Sequence, residues 1–181
     1  MLDSDLSHRV LPRSNCIGVL ADTHNNAEHT DQALALFRAR GVQQLIHCGD
    51  VTNPLMLEKF QGFWVWLVRG NNDYDRSGLR SESRRLGNIT FCGKDAELEF
   101  GRHSVAVCHG DDESLLMVLA RSGLHEWIFR GHSHRKDLDE VGGTKVLNPG
   151  ALGGRHPIGE DRSIAIVDLD ARVAEFVTVA K

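Results

Sequence analysis

The sequence of 181 residues contains little cysteine and no paired cysteine motif. Its four cysteines are scattered along the chain and never stand in CxxC spacing: Cys16, Cys48, Cys92 and Cys108. This spacing excludes a thiolate zinc knuckle and a disulfide framework. Apolar runs of about 20 residues, the length needed to cross a bilayer, are also missing, and residues 1–15 lack the apolar core of a secretory signal. These features favour a reduced, cytoplasmic protein with no membrane partner.

An excess of positive charge is absent as well. The chain has 21 Lys and Arg against 25 Asp and Glu, which gives a net charge of -4. An acidic balance argues against nucleic acid or anionic lipid as the main partner. The length suits one sizeable core. We expect residues 1–15 to form an N-terminal arm that need not be ordered, and residues 16–181 to form a single domain.

The first half of the sequence alternates short apolar runs with helical segments. Strands are predicted at 17–20, 44–48 and 63–68, with one helix beginning near Asn25 and running to Gly41 and another running from Pro54 toward Phe60. A βαβαβ order of this kind implies a parallel sheet with helices packed against it.

The second half is rich in strands. Candidates lie at 88–91, 96–100, 104–108, 127–129, 145–147, 163–169 and 173–179, and only 113–121 looks helical. The fold class predicted is therefore α/β, a four-layer αββα sandwich in which two facing mixed β-sheets are flanked by helices. Residues 74–85 are rich in Arg and Ser, and either a solvated linker helix or a lid beside the site fits their composition.

Candidate metal ligands come directly after the predicted strands. Five motifs follow one another along the chain: Asp22-Thr23-His24, Gly49-Asp50, Gly70-Asn71-Asn72-Asp73, His109-Gly110 and Gly131-His132-Ser133-His134. Each motif alone is common by chance. Because ligands of α/β sheets bind beyond the carboxyl ends of the strands, the five segments are expected to converge in one crevice.

The types of side chain in these motifs indicate the kind of metal site. Carboxylate, imidazole and amide oxygen without thiolate suit Mn, Fe or Zn in a catalytic site. Two divalent ions about 4 Å apart need a carboxylate that bridges them, and Asp50 is the candidate for that role. With few anionic ligands around two dications, the site stays positive enough to hold a phosphate.

The ordered motif set resembles the calcineurin-like metallophosphoesterases over nearly the whole chain. The later Asn148-Pro149-Gly150 and the short length resemble their small bacterial and archaeal phosphodiesterase branch. The resemblance implies that two divalent ions, Mn with Fe, Ni or Zn as alternatives, are held by seven residues. Asp22, His24 and His134 hold the first ion, Asn71, His109 and His132 hold the second, and Asp50 bridges the two.

The same resemblance implies hydrolysis of a small phosphate-ester substrate by attack of a metal-bridging hydroxide. A phosphodiesterase is the leading hypothesis. A phosphomonoesterase or protein phosphatase is the nearest alternative, and a non-catalytic scaffold, like the retromer subunit of this superfamily, is a third. The oligomeric state stays open, with a homo-oligomer as one option.

Asn72 departs from the family pattern. Many members carry a histidine there that protonates the leaving oxygen, and an amide cannot act as a general acid near neutral pH. The candidate catalytic residues are therefore Asn71, which steadies charge on the phosphoryl oxygens, Asn72 at the vacant acid position, and Asp73 as a substitute proton donor.

Overall fold

The computed structural model describes residues 15–155 and 157–180. The predicted N-terminal arm, residues 1–15, lies outside the described residues except for Asn15. In chain order the elements are β1 (Cys16–Leu20), α1 (Ala27–Ala39), β2 (Gln44–His47), a 3-10 helix (Pro54–Phe60), β3 (Trp64–Val68), α2 (Arg76–Leu86), β4 (Ile89–Gly93), β5 (Asp95–Phe100), β6 (His103–Cys108), α3 (Glu113–Ser122), β7 (Trp127–Phe129), β8 (Lys136–Val141), β9 (Thr144–Pro149), β10 (Arg162–Asp168) and β11 (Val173–Ala180). No helix in the described ranges is long and apolar enough to span a bilayer.

The strands form two mixed sheets. The first has six strands in the order β11-β10-β1-β2-β3-β4, in which β1 to β4 run parallel and β10 is antiparallel to both of its neighbours, β1 and β11. The second has five strands in the order β5-β6-β7-β9-β8, with a parallel centre of β6, β7 and β9 between two antiparallel edge strands. The parallel strands direct their carboxyl ends to one edge of each sheet, where the site lies.

Apolar side chains on the facing sides of the sheets form the central core. Val19 and Ile46 of the first sheet pack in one buried cluster with Val107 and Phe129 of the second. A second cluster lies under α1, the 3-10 helix and α2, and a third lies under α3. The layers are therefore helix, sheet, sheet and helix, and the predicted four-layer αββα fold is confirmed.

Helix starts follow the polar side chains that cap them. The prediction placed the start of α1 at Asn25, but Asn26 is the cap, and its Oδ1 accepts from the His29 N–H at 3.0 Å. Asn25 instead adopts a left-handed backbone with φ 59°. The loop after β1 thus extends one residue further, because the chain turns there around His24 before the helix can begin.

Strand β8 was missed by the sequence prediction. Its sequence, Lys136 to Val141, is largely charged and mostly exposed, so it shows no apolar run. Pairing with β9 on one side alone fixes it as an edge strand. Charged side chains on an edge strand discourage pairing with another chain, which explains why this strand resembles a loop in sequence.

The segment left open as a linker helix or a lid is α2. It packs on the 3-10 helix and β4, burying Leu79 and Ser83. Asp75 caps its first turn and Gly87, with φ 75°, ends it. This helix is therefore fixed to the first sheet, with its arginine-rich side exposed.

His103 at the start of β6 lies between two carboxylates. Its Nδ1 is 3.0 Å from Glu126 and its Nε2 is 2.9 Å from Asp170, while Arg102 also pairs with Asp170 at 3.2 Å. Burial opposes protonation of His103, but the hydrogen bonds with Asp170 and Glu126 outweigh it and raise its pKa.

A raised pKa in the folded state stabilises the protein below the pKa of the unfolded chain, and that stability is lost as pH rises through the folded value. We therefore expect His103→Gln to destabilise the protein most near pH 5.5 and progressively less toward pH 9. Urea unfolding of both proteins across this range measures the difference. A difference that is constant with pH would contradict the assignment.

Candidate metal centre

The loops that follow β1 and β2 are joined by backbone hydrogen bonds. The Asp22 N–H donates to the Gly49 carbonyl at 3.0 Å, and the His24 N–H donates to the Asp50 carbonyl at 2.9 Å. Parallel strands that end at the same edge allow this pairing to continue beyond the sheet. Three candidate ligands are thereby set side by side at the floor of one cleft.

The first ligand cluster joins Asp22, His24 and His134. The two histidine Nε2 atoms are 3.2 Å apart, and Asp22 Oδ1 is 3.8 Å from His24 Nε2 and 3.4 Å from His134 Nε2. Asp22 is fully buried, whereas both histidines are partly exposed. The cluster brings together residues 22 and 134, which follow strands of different sheets.

The second cluster joins Asn71, His109 and His132. Asn71 Oδ1 is 3.0 Å from His109 Nε2 and 3.1 Å from His132 Nδ1. The rings of His109 and His132 stand edge to face with centroids 5.1 Å apart. His109 is buried, and Asn71 and His132 reach solvent. This cluster therefore opens toward the mouth of the cleft.

Asp50 lies between the two clusters. Its Oδ2 is 3.5 Å from His24 Nε2 in the first cluster and 3.5 Å from His109 Nε2 in the second. Asn72 binds the same carboxylate twice, with its backbone N–H on Oδ1 at 2.8 Å and its side-chain amide on Oδ2 at 2.7 Å. Asp22 also belongs to a group with Asp50 and His109, so two carboxylates face both clusters.

The donor atoms fit divalent ions. Asp22 Oδ1 is buried and has no hydrogen-bond partner among the described residues, which is costly for a carboxylate unless a cation meets it. His109 Nδ1 lies 2.8 Å from the Cys48 carbonyl and His134 Nδ1 lies 2.6 Å from the Arg155 carbonyl. These bonds fix the tautomer, so that each Nε2 directs its lone pair into the site.

The carboxylates give the site a strongly negative field. Burial opposes protonation of His109, but hydrogen bonding to Asp50 and the charge of Asp22 raise its pKa to about 9. The interaction with Asp22 raises the pKa of His134, against the effect of burial. Burial acts to raise the pKa of Asp50, yet contacts with His109 and Asn72 lower it. Such a field attracts dications, whose binding releases the histidine protons.

The backbone around the ligands is held in the left-handed region. Among the described residues, eight other than glycine have positive φ, and five of these are candidate ligands: Asp22, His24, Asp50, His132 and His134. Each such residue costs on the order of 1 kcal/mol. Gly70 shows how tight the packing is, because a Cβ there would lie 2.1 Å from Asp50 Oδ1. The fold must therefore supply contacts that hold these loops.

Asp73 supplies the main contacts of this kind. Its Oδ2 accepts from the backbone N–H groups of Asp50 at 2.9 Å and Gly70 at 2.8 Å, and its Oδ1 accepts from Thr52 at 2.7 Å. The side chain is buried, and burial raises its pKa against these donors. Both oxygens are occupied within the loops, so this geometry does not present Asp73 to a substrate as a proton donor.

An open cleft of about 510 Å³ lies above the clusters. Its lining contains candidate ligands and Asn72, together with four residues that sequence analysis did not single out: Thr52, Tyr74, Gly154 and Arg155. Arg155 is exposed in the glycine-rich segment after Asn148. A cation in the loop that follows Asn148-Pro149-Gly150 was the available signal, and it was too weak to use without the fold.

Asn148 holds the loop that carries His132 and His134. Its amide donates to the Gly131 carbonyl at 2.7 Å and to Ser133 Oγ at 3.0 Å. The His132 N–H in turn donates to Asp22 Oδ2 at 2.9 Å. The Asn-Pro-Gly motif thus positions ligands without being one.

A four-layer fold with two clusters of carboxylate, imidazole and amide donors at its strand ends defines a dinuclear metallohydrolase type of site. The chain matches the family described as the calcineurin-like phosphoesterase superfamily domain over residues 16–172. It therefore belongs to the calcineurin-like phosphoesterase superfamily, and the resemblance drawn from the motifs is confirmed. Divalent metal sites are typical of this superfamily, and the donor set agrees with them.

Relatives and solved structures agree with this placement. A phosphodiesterase of Methanocaldococcus jannaschii is 27% identical over 136 residues, which is 74% of this chain and 82% of that protein. The structure of an archaeal phosphodiesterase superposes with a TM-score of 0.82 at 24% identity, covering 90% of this chain and 99% of the other. Zinc-complexed Vps29 from Entamoeba histolytica has a TM-score of 0.64 at 16% identity, covering 91% and 99%.

Replacement of Asp73 tests whether its carboxylate holds the ligand loops in place. In Asp73→Asn only one oxygen is left for three backbone donors, so we expect a loss of about 2–4 kcal/mol in the free energy of unfolding and a weaker retention of metal. Urea unfolding and metal analysis after dialysis measure both. The matched control is Asp75→Asn, which keeps a good helix cap and should change stability by less than about 0.5 kcal/mol. Normal stability of Asp73→Asn would contradict this role.

Proposed function

We propose that this protein is a metal-dependent phosphodiesterase. The observation that carries the proposal is the placement of Asp50 Oδ2 at 3.5 Å from a histidine of each cluster. A carboxylate shared between two sets of donors suits a pair of divalent ions. When bound, these ions activate water for attack on phosphorus and offset the charge of the phosphoryl oxygens. The phosphodiesterase relatives support the diester over the monoester as substrate.

The protein's own residues hold and orient the reacting groups. Asp22, His24 and His134 would hold one ion, and Asn71, His109 and His132 the other, with Asp50 between them. The candidate ligands Asn71 and His132 are exposed, and His132 lines the cleft that a phosphoryl group would enter. Arg155 lines the same cleft, and its guanidinium suits a phosphate oxygen. Asp73 acts as a positioning residue for the loops.

The amide of Asn72 cannot protonate a leaving group, so the enzyme should hydrolyse diesters with good leaving groups fastest. This amide donates to Asp50 at 2.7 Å, so in this structure it orients the shared carboxylate and provides no proton. We further propose that the physiological ions are Mn, because oxygen donors and imidazole are mixed in both clusters, and that the protein hydrolyses phosphate diesters in the cytoplasm.

Chelation and replacement of Asp50 test the metal assignment. We expect exhaustive chelation to abolish hydrolysis of bis-p-nitrophenyl phosphate and added Mn to restore it better than Mg, because imidazole suits the softer ion. Asp50→Asn should lower kcat by more than about a hundredfold and reduce bound metal, since it weakens both sites. The matched control is Asp111→Asn, an exposed carboxylate that does not line the cleft. Full activity of the chelated enzyme would refute the proposal.

Leaving-group dependence tests the role of Asn72. Without a general acid, the rate should fall steeply as the pKa of the leaving alcohol rises, because general acid catalysis is worth about a hundredfold to ten-thousandfold for poor leaving groups. Asn72→His should flatten that dependence, although it also removes the amide bond to Asp50. Log rate across aryl and alkyl diesters measures both slopes. A shallow slope in the wild type would reveal a proton donor other than Asn72.

A further inference from the structure

Three arginines lie side by side on the exposed face of α2. Arg76, Arg80 and Arg84 are spaced four residues apart, so they lie on one side of the helix over about 12 Å and are all exposed. None of them has an ion-pair partner among residues 15–155 and 157–180. We call these three residues the arginine track.

The arginine track does not serve the stability of the helix. Like charges four residues apart repel each other, and Arg76 lies in the first turn, where the helix dipole disfavours a cation. Arg85 of the same helix behaves differently, because it pairs with both Glu82 and Glu58. A protein of net charge -4 thus leaves three neighbouring arginines without an ion-pair partner among the described residues, which indicates an anionic ligand outside the chain.

The surface around the arginine track is shaped to receive such a ligand. A shallow cavity of about 440 Å³ is lined by the three arginines with Ser77 and Ser81. Guanidinium groups and serine hydroxyls are among the side-chain groups that contact nucleic-acid phosphates. The Ser77 hydroxyl donates to Asp75 at 3.1 Å, which leaves Ser81 as the hydroxyl available to a phosphate. The guanidinium carbon of Arg80 also lies over the Phe91 ring of β4, 5.6 Å from its centroid.

The arginine track continues into the metal centre through Tyr74. This side chain is 83% exposed although it lines the main cleft. The Arg76 N–H donates to the Tyr74 carbonyl at 3.1 Å, so the first arginine follows this cleft-lining residue by only two positions. An exposed aromatic ring next to a row of cations is the arrangement with which proteins bind single strands, through base stacking and phosphate contacts.

We propose that the substrate class of the metal centre is a short single-stranded oligonucleotide, with a base stacked on Tyr74 and the following phosphates bound along the arginine track. This inference rests on the proposed phosphodiesterase function and names its substrate. It revises the expectation drawn from net charge, because the local distribution of arginines, and not the total, decides where a polyanion binds. A single helix face suits one strand, and the stacking ring favours bases over an acidic peptide.

The test compares two diesters on the Mn-loaded full-length enzyme. The triple variant R76Q/R80Q/R84Q should lower kcat/KM for an eight-nucleotide single-stranded DNA by at least about tenfold at low salt. The slope of log kcat/KM against log salt should become shallower by about 2, because each of the three lost phosphate contacts contributes about 0.7 to that slope. Hydrolysis of bis-p-nitrophenyl phosphate, which is too small to reach the arginine track, should stay unchanged. The matched control is R85Q, which removes a paired arginine from the same helix and should behave as wild type on both substrates.

The outcomes separate the two proposals. If bis-p-nitrophenyl phosphate is not hydrolysed by the Mn-loaded enzyme, the proposed function itself fails. If it is hydrolysed but the triple variant cleaves the oligonucleotide as well as wild type does, only the substrate inference is overturned. Polyglutamate added as a competitor tests the acidic-protein alternative. Inhibition as strong as that by a non-cleavable oligonucleotide, and lost equally in the triple variant, would also overturn the inference.

Discussion

Three backbone N–H groups from two loops donate to the buried carboxylate of Asp73. This interaction ties the end of β2 to the end of β3, and it holds Asp50 in a left-handed backbone that an aspartate would otherwise avoid. Asn72 then binds the Asp50 side chain from the adjoining turn. The position of the carboxylate shared by the two clusters therefore depends on a residue that binds no metal itself.

The site combines two unfavourable features that a bound dication offsets. Left-handed backbone at five candidate ligands destabilises the loops, and Asp22 Oδ1 is buried without a hydrogen bond from the described residues. Rigid strands on both sheets hold the loops in place, with Asp22 following β1 and His109 following β6. Local destabilisation of this kind is found at functional sites, where the surrounding fold holds the geometry before a ligand binds.

Apolar runs in the sequence identified most of the strands, because the strands of a buried parallel sheet are apolar along their whole length. The strand from Trp127 to Phe129 was predicted with the bounds that the structure has. The strand from Lys136 to Val141 was not predicted, because an edge strand need not be apolar. The start of α1 was displaced because Asn25 and Asn26 are equally good caps in sequence, and only the turn around His24 selects the second.

The kinds of candidate ligand and their order along the chain follow from the residues alone, because carboxylates, imidazoles and an amide after successive strands converge at one sheet edge whatever the loops do. Which of these side chains contact one another depends on the folded loops. In the folded protein Asp73 accepts from backbone N–H groups and Asn72 donates to Asp50. Arg155 and Tyr74 line the cleft. The physical reason is that these contacts are made to backbone groups or across long separations, and neither leaves a pattern in the order of residues.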